Sequence, residues 1–166
     1  FSKYYEEKRL GAGAIVRVVA KAVGSRMAAT LHAPLPEHFL RYGADVFRPT
    51  SARVTIDGEA IPGTRHGAIH AGAIDLHLGG VFRVFPLAKD DGSLHFQAGE
   101  IVPSEMILAL PALARGGAIP SQRLRETSGR EMTIEAIGDE ALAPIIDGEA
   151  FEGLREIDAT PVDLHD

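Results

Sequence analysis

The sequence predicts a mainly β domain, an antiparallel β-sandwich or flattened barrel accompanied by two helices. Apolar and polar residues alternate with a period of two in several short segments that begin near residue 52. Turn-forming residues separate these segments, so most connections are hairpin-like. Parallel sheets would need a crossover helix after nearly every strand, but helical periodicity is confined to two stretches. These three observations together favour antiparallel sheets.

The first helix is predicted to begin near Lys8 and to end at Gly24. Apolar residues recur there at three- and four-residue steps, with Arg17 and Lys21 on the opposite side. Glycine often follows the last turn of a helix. Residues 30–50 lose this periodicity and contain three prolines and a glycine, which predicts an irregular connection.

Short strands are predicted to follow, interrupted by a second helix that Ser104 can cap and that Gly116 and Gly117 can end. The predicted strands are 52–57, Arg65–Ile74, Val81–Phe85, Leu94–Val102, Gln122–Thr127, Glu131–Ala136, Leu142–Ile146 and Phe151–Ile157.

Composition limits the classes of function. A chain of 166 residues that is 45% hydrophobic is long enough for one core, so a single domain spanning residues 1–166 is expected. The absence of cysteine excludes disulfides and thiolate metal ligands and favours a cytoplasmic location. A net charge of -6 argues against nucleic acid as a main partner.

The charge is unevenly distributed. Residues 1–53 contain nine basic and four acidic residues, a net charge of +5, so the remainder is strongly acidic. The basic third is expected to contact anionic headgroups at the inner membrane surface or a phosphorylated partner, or to be an ordinary solvated helix face.

The same pentapeptide, Ile-Asp-Gly-Glu-Ala, occurs at 56–60 and at 146–150, each time between predicted strands. Asp-Gly is the preferred pair for a tight two-residue hairpin because both residues accept positive φ. Taken alone, each copy therefore predicts a structural turn.

The order of several short motifs, from about Tyr4 to Leu164, resembles the C-terminal domain of the diacylglycerol kinase and sphingosine kinase-like lipid kinase family. The matching pieces are the first helix, the hairpin Arg53–Glu59, Gly79-Gly80 leading to Arg83 and Pro86, the loop Ala88–Leu94, the helix end Leu110–Gly116, and Ile145–Glu149 before a closing strand pair.

This resemblance implies the C-terminal lobe of a two-domain kinase that transfers phosphate from ATP, with Mg²⁺, to a hydroxyl of a diacylglycerol-like lipid. The nucleotide would be held by a Gly-Gly-Asp-Gly-Thr loop in an N-terminal domain, which this chain lacks; its first residue is Phe1, so the chain is expected to be an inactive fragment. The resemblance assigns the role of general base to Asp147 and a supporting role to Glu149. Peripheral membrane contact would follow from the lipid substrate.

The loop at Asp90 and Asp91 lies where some bacterial members of this family bind a structural divalent cation. Asp91 is the candidate ligand, and oxygen donors suit Mg²⁺ or Ca²⁺. No other acidic residue lies between Val84 and Lys89, so a solvated turn is the alternative. The sequence Ile74–Leu78 departs from the asparagine-containing stretch of the family, which leaves the acceptor lipid open.

Two other functions remain open. One is a non-catalytic β-sandwich module that binds a lipid or a protein, in which both Asp-Gly turns are structural. The other is a pyridine-nucleotide kinase, which shares the two-lobe plan. A metal site at His66 and His70 is not favoured, because both fall in one predicted strand about two pleats apart. No nucleophile-elbow motif supports a hydrolase.

Overall fold

The computed structural model describes residues 12–78, 82–89, 92–101, 105, 108–109, 112 and 121–161, and all structural statements below refer to these residues. Two helices have described bounds, α1 at Ala12–Thr30 and α2 at Glu37–Val46. The prediction that the first helix ends at Gly24 is therefore wrong, because α1 continues through Thr30. The predicted irregular connection at 30–50 is also wrong, since it contains α2.

The two helices pack closely against each other. This contact explains why α1 continues beyond Gly24 and why α2 forms within residues 30–50. Ser25, one residue beyond the predicted helix end, accepts a hydrogen bond from Gly43 N (2.8 Å) and donates one to Leu40 O (3.0 Å). A Cβ atom at position 43 would lie only 2.3 Å from Ala22 O. Gly43 is thus required by the approach of the helices and does not break α2. Pro36 precedes α2, where its missing N–H costs no helical hydrogen bond.

Twelve strands have described bounds, and every pair is antiparallel. They are β1 Thr50–Ile56, β2 Glu59–Ala60, β3 Arg65–His66, β4 Ala68–Gly72, β5 Leu76–Leu78, β6 Phe82–Val84, β7 Leu94–Gly99, β8 Leu124–Gly129, β9 Met132–Ala136, β10 Ile145–Ile146, β11 Glu149–Ala150 and β12 Glu156–Ala159. The single strand predicted at Arg65–Ile74 is two strands, β3 and β4, which puts His66 and His70 on different strands.

The strands form two larger sheets and two separate hairpins. One sheet has the order β12-β9-β1-β2, with β3 also paired to β1, and the other has the order β4-β7-β8. The hairpins are β5-β6 and β10-β11. No sheet among the described residues closes on itself, so the predicted sandwich is confirmed and the flattened barrel is not.

The core lies between the two larger sheets. Alternate residues of β1 and β7 point inward, among them Val54 and Phe96, which are fully buried. Met132 of β9 completes the cluster, and Ile69 and Ile134 pack against it. The period-two alternation in the sequence therefore identified the inner faces correctly.

The predicted second helix lies mostly outside the described residues. Glu105, Leu108, Ala109 and Ala112 are helical, whereas Ser104 and the pair at 116–117 belong to the undescribed part. Within the described residues, no helix is both long and apolar enough to cross a membrane.

Candidate functional site

The second Asp-Gly-Glu turn lies at the end of the β10-β11 hairpin. Asp147 and Gly148 have φ of 51° and 88°, and Ile146 pairs with Glu149 across the turn. This is the tight hairpin that Asp-Gly predicts. The base of the hairpin is held by Leu142, which is buried and exchanges two backbone hydrogen bonds with Leu154 (2.7 and 3.2 Å). A short rigid hairpin thus presents the turn.

Both carboxylates of this turn are exposed to solvent. Within the described part of the chain, neither the Asp147 nor the Glu149 side chain has a hydrogen-bond or ion-pair partner. The flanking apolar residues Ile146 and Phe151 are also exposed, at 42% and 40%. The hairpin therefore projects two carboxylates beside an apolar margin, an arrangement that suits contact with another surface.

The first Asp-Gly-Glu turn has the same backbone conformation but a different environment. Asp57 and Gly58 have φ of 48° and 80°. The Oδ1 atom of Asp57 accepts hydrogen bonds from the backbone N–H groups of Arg130 (2.8 Å) and Glu131 (2.9 Å), which lie between β8 and β9. This carboxylate ties the β1-β2 turn to the connection between β8 and β9, which lie in different sheets, so its role is structural.

A cavity of about 100 Å³ lies beside the first turn. Asp57, Glu59 and Arg125 are among its lining residues, and the Arg125 guanidinium reaches Glu59 at 3.4 Å. Both partners of this ion pair are more than half exposed, so the pair contributes little to stability.

Alanine substitutions should separate the roles of the two aspartates. Alanine is strained at positive φ in both turns, so this cost is shared. Asp57→Ala additionally removes two hydrogen bonds to a charged acceptor and should lower the free energy of unfolding by about 1–3 kcal/mol more than Asp147→Ala does. Urea denaturation of the two variants measures this difference. Equal losses would show that the Asp57 carboxylate does not stabilise the fold.

The predicted metal ligand and the Gly-Gly motif stay predictions. Asp91, the candidate metal ligand, lies outside the described residues, as do Asp90, Gly79 and Gly80. Among the residues that the structure does describe, no group of three or more His, Cys, Asp or Glu side chains is arranged to hold a metal ion.

A polar cluster that the sequence did not predict lies on the outer face of the β4-β7-β8 sheet. His70, Gln97 and Glu126 are direct neighbours across the three strands, and His70 Nδ1 lies 3.1 Å from Gln97 Oε1. His95, two residues along β7, is only 2% exposed, and its Nε2 atom lies 3.5 Å from Glu126 Oε1. Its Nδ1 atom accepts the N–H of Leu87 (3.3 Å), which leaves the proton of the neutral ring on Nε2.

The segment from Phe85 to Lys89 covers this cluster. The Phe85 ring packs on His95, with a centroid separation of 5.6 Å, and occupies the space that a side chain at Gly72 would need, because a Cβ there would lie 2.2 Å from the ring. Nearby, Arg83 binds both oxygens of Asp75 through Nε, each at 3.0 Å. The sequence predicted a strand beginning at Leu94 but not the segment that covers His95.

The buried histidines should make the fold sensitive to acid. Burial lowers the pKa of His66, His70 and His95, and the nearby His70 lowers that of His95 further, whereas burial raises the pKa of Glu126. A histidine with a lowered folded pKa contributes its full stability above the unfolded value of 6.5, and this contribution is lost as pH falls through the folded pKa. Glu126 acts in the opposite direction, but it is one group against three histidines.

We therefore expect the free energy of unfolding to decrease as pH falls below 6.5, and His95→Gln to make the decrease shallower. Urea denaturation across this pH range measures both slopes. Stability that stayed constant or rose on acidification would contradict the buried, neutral state of these rings.

No protein-family model matches the sequence, and no curated protein matches it either. A solved structure of a provisionally assigned diacylglycerol kinase from Bacillus anthracis strain Sterne is similar in fold, with a TM-score of 0.52 and 16% sequence identity. The chain has a diacylglycerol kinase-like fold. The match covers 72% of this chain and 43% of that one, so this chain corresponds to less than half of the solved protein.

A second diacylglycerol kinase structure from the same strain gives a TM-score of 0.49 at 15% identity, with the same coverage of both chains. At these identities the similarity concerns the fold, and the chemistry must be argued from the residues.

Proposed function

We propose that this chain is the C-terminal lobe of an ATP-dependent lipid kinase that phosphorylates a hydroxyl of a diacylglycerol-like lipid, and that it is inactive without an N-terminal nucleotide-binding lobe. The observation that supports this proposal most strongly is the contrast between two turns of identical sequence. Asp57 is engaged by the backbone N–H groups of Arg130 and Glu131, whereas Asp147 is exposed on a projecting hairpin. Among the described residues the Asp57 carboxylate has hydrogen-bond partners and the Asp147 carboxylate has none, so Asp147 is the residue that we assign to the substrate.

Phosphoryl transfer needs a group that orients the attacking hydroxyl and accepts its proton. In this proposal Asp147 takes the proton of the lipid hydroxyl while the hydroxyl oxygen bonds to the terminal phosphorus of ATP, and the bond from that phosphorus to the bridging oxygen breaks to release ADP. We assign Glu149, on the returning strand, a supporting role as a second carboxylate beside Asp147. The rigid turn matters because a base must be held within hydrogen-bond reach of the hydroxyl.

ATP and Mg²⁺ would be held chiefly by the other lobe. Mg²⁺ supplies neutralisation of phosphate charge when it is bound. Asp147 and Glu149 provide two carboxylate side chains, fewer ligands than a dedicated metal site requires. This hairpin would therefore add to a metal site formed chiefly by the other lobe and would not hold the metal alone. The exposed Ile146 and Phe151 offer the apolar margin at which such a lobe, or the lipid, would pack.

The gene provides a direct test of the two-lobe proposal. An open reading frame that continues upstream of Phe1 and encodes a Gly-Gly-Asp-Gly-Thr loop in a nucleotide-binding domain is the expected result. A stop codon and start site immediately before this chain would leave no nucleotide lobe and would favour the alternative, a non-catalytic module that binds a lipid or a protein.

A further inference from the structure

Three large apolar side chains are exposed where α1 passes into α2. The exposed fractions are 59% for Met27, 75% for Leu31 and 45% for Leu35. Met27 and Leu31 are one helical turn apart, and Leu35 follows within the connection to α2. Leaving a leucine exposed forgoes about 1.5–3 kcal/mol of burial energy, so a group of three at one end of a helical hairpin indicates a surface that becomes covered.

The hairpin tip, defined as residues 27–36, is held in place by ordered hydrogen bonds. Leu31 N donates to Met27 O (3.0 Å), and Ala33 N donates to Ala28 O (2.9 Å). Thr30 Oγ1 donates to Arg26 O at 2.9 Å. The apolar side chains are therefore presented by a fixed turn.

The charge around the tip is positive. Residues 12–36 contain Arg17, Lys21 and Arg26 and no acidic residue. The first acid beyond them, Glu37, forms an ion pair with Arg41 at 2.6 Å. This basic region contrasts with the acidic remainder of the chain, and a protruding apolar tip with basic residues behind it matches the chemistry of an anionic lipid surface.

We propose that the hairpin tip inserts into the headgroup region of an anionic membrane, with Met27, Leu31 and Leu35 reaching the acyl boundary and Arg26 contacting lipid phosphate. This proposal rests on the proposed function, because a lipid kinase must meet its substrate at a bilayer. It goes further by assigning the membrane contact to one surface. Lys21 is not assigned a headgroup, because its ammonium lies over the Tyr42 ring at 4.0 Å and serves the contact between helices.

The test is cosedimentation of the protein with vesicles of phosphatidylcholine alone or mixed with phosphatidylserine. The double variant Leu31→Ser, Leu35→Ser should bind mixed vesicles at least about tenfold less tightly, since two leucines that would be partly buried in the membrane are lost. The matched control is Ile74→Ser with Leu108→Ser, which removes two apolar side chains of 65% and 79% exposure elsewhere. It should bind as the unchanged protein does. Circular dichroism confirms that each variant is folded.

A second variant tests the electrostatic attraction between Arg26 and lipid phosphate. Arg26→Gln keeps most of the aliphatic stem, which packs near Gly43, but removes the charge. It should reduce the preference for phosphatidylserine several-fold, and added salt should reduce that preference in the unchanged protein.

Two outcomes would overturn the membrane assignment. One is equal binding by the tip variant and the unchanged protein. The other is dimerisation of the unchanged protein in sedimentation velocity that the tip variant abolishes, which would identify a second copy as the occupant. Vesicle binding does not depend on catalysis. If the protein phosphorylates lipid but the tip substitutions leave its vesicle binding unchanged, only this inference is contradicted. A protein that binds vesicles through the tip without phosphorylating lipid would contradict only the proposed function.

Discussion

Replacing Asp147 with asparagine in the full-length protein is expected to lower phosphoryl-transfer turnover by about a hundredfold or more, the usual scale for losing a positioned general base. Asparagine also accepts positive φ, so the turn should persist and stability should change by about 1 kcal/mol or less. The loss should appear in kcat more than in KM, because the proton is transferred in the chemical step. Steady-state kinetics with purified protein measures both.

Asp57→Asn is the internal control. Its turn has the same sequence and backbone conformation, and the asparagine oxygen can still accept the N–H groups of Arg130 and Glu131. Turnover should remain close to that of the unchanged protein. Glu149→Gln should fall between the two. If Asp147→Asn were fully active, the assignment of the base would be wrong. If Asp57→Asn alone were inactive, the cavity beside the first turn would become the candidate site.

The chain by itself is expected to show no measurable ATP hydrolysis or lipid phosphorylation. Catalysis of phosphoryl transfer depends on holding the nucleotide phosphates and stabilising their charge, and the described residues offer only an isolated pair of carboxylates. A radiometric assay of the pure chain, beside the same amount of full-length protein, measures the difference. Turnover by the pure chain that survived further purification and disappeared in Asp147→Asn would overturn the two-lobe proposal.

The turns and inner faces of the sheets could be predicted because local chemistry determines them. Asp-Gly at 57–58 and 147–148 accepts the positive φ that a tight hairpin turn requires, and both turns form as predicted. The alternation in β1 placed Val54 in the core, where the structure has it. Such signals depend on neighbouring residues only.

Features that depend on distant contacts could not be predicted. Prolines and Gly43 were interpreted as helix breakers, yet Gly43 is where α1 and α2 meet, and tertiary packing outweighs the low helix propensity of glycine. The environment of His95 depends on Leu87 and Glu126, brought together by strand pairing and by the covering segment.

The roles of Asp147 and Glu149 come from the resemblance and stay a prediction. Sequence and resemblance selected Asp147 over Asp57 by position alone. The physical distinction between the two could not be predicted, because it depends on the fold. Two backbone N–H groups donate to the Asp57 carboxylate, and none among the described residues donates to the Asp147 carboxylate.

The most direct test of the lipid-kinase proposal is to incubate the full-length protein with radiolabelled ATP, Mg²⁺ and diacylglycerol in mixed micelles and to measure label in the extracted lipid. We expect labelled phosphate to be transferred to the diacylglycerol hydroxyl, and this transfer to be lost with Asp147→Asn and retained with Asp57→Asn. A folded full-length protein that binds these micelles but transfers no phosphate to diacylglycerol or to other hydroxyl-bearing lipids would contradict the proposal and identify a lipid-binding module.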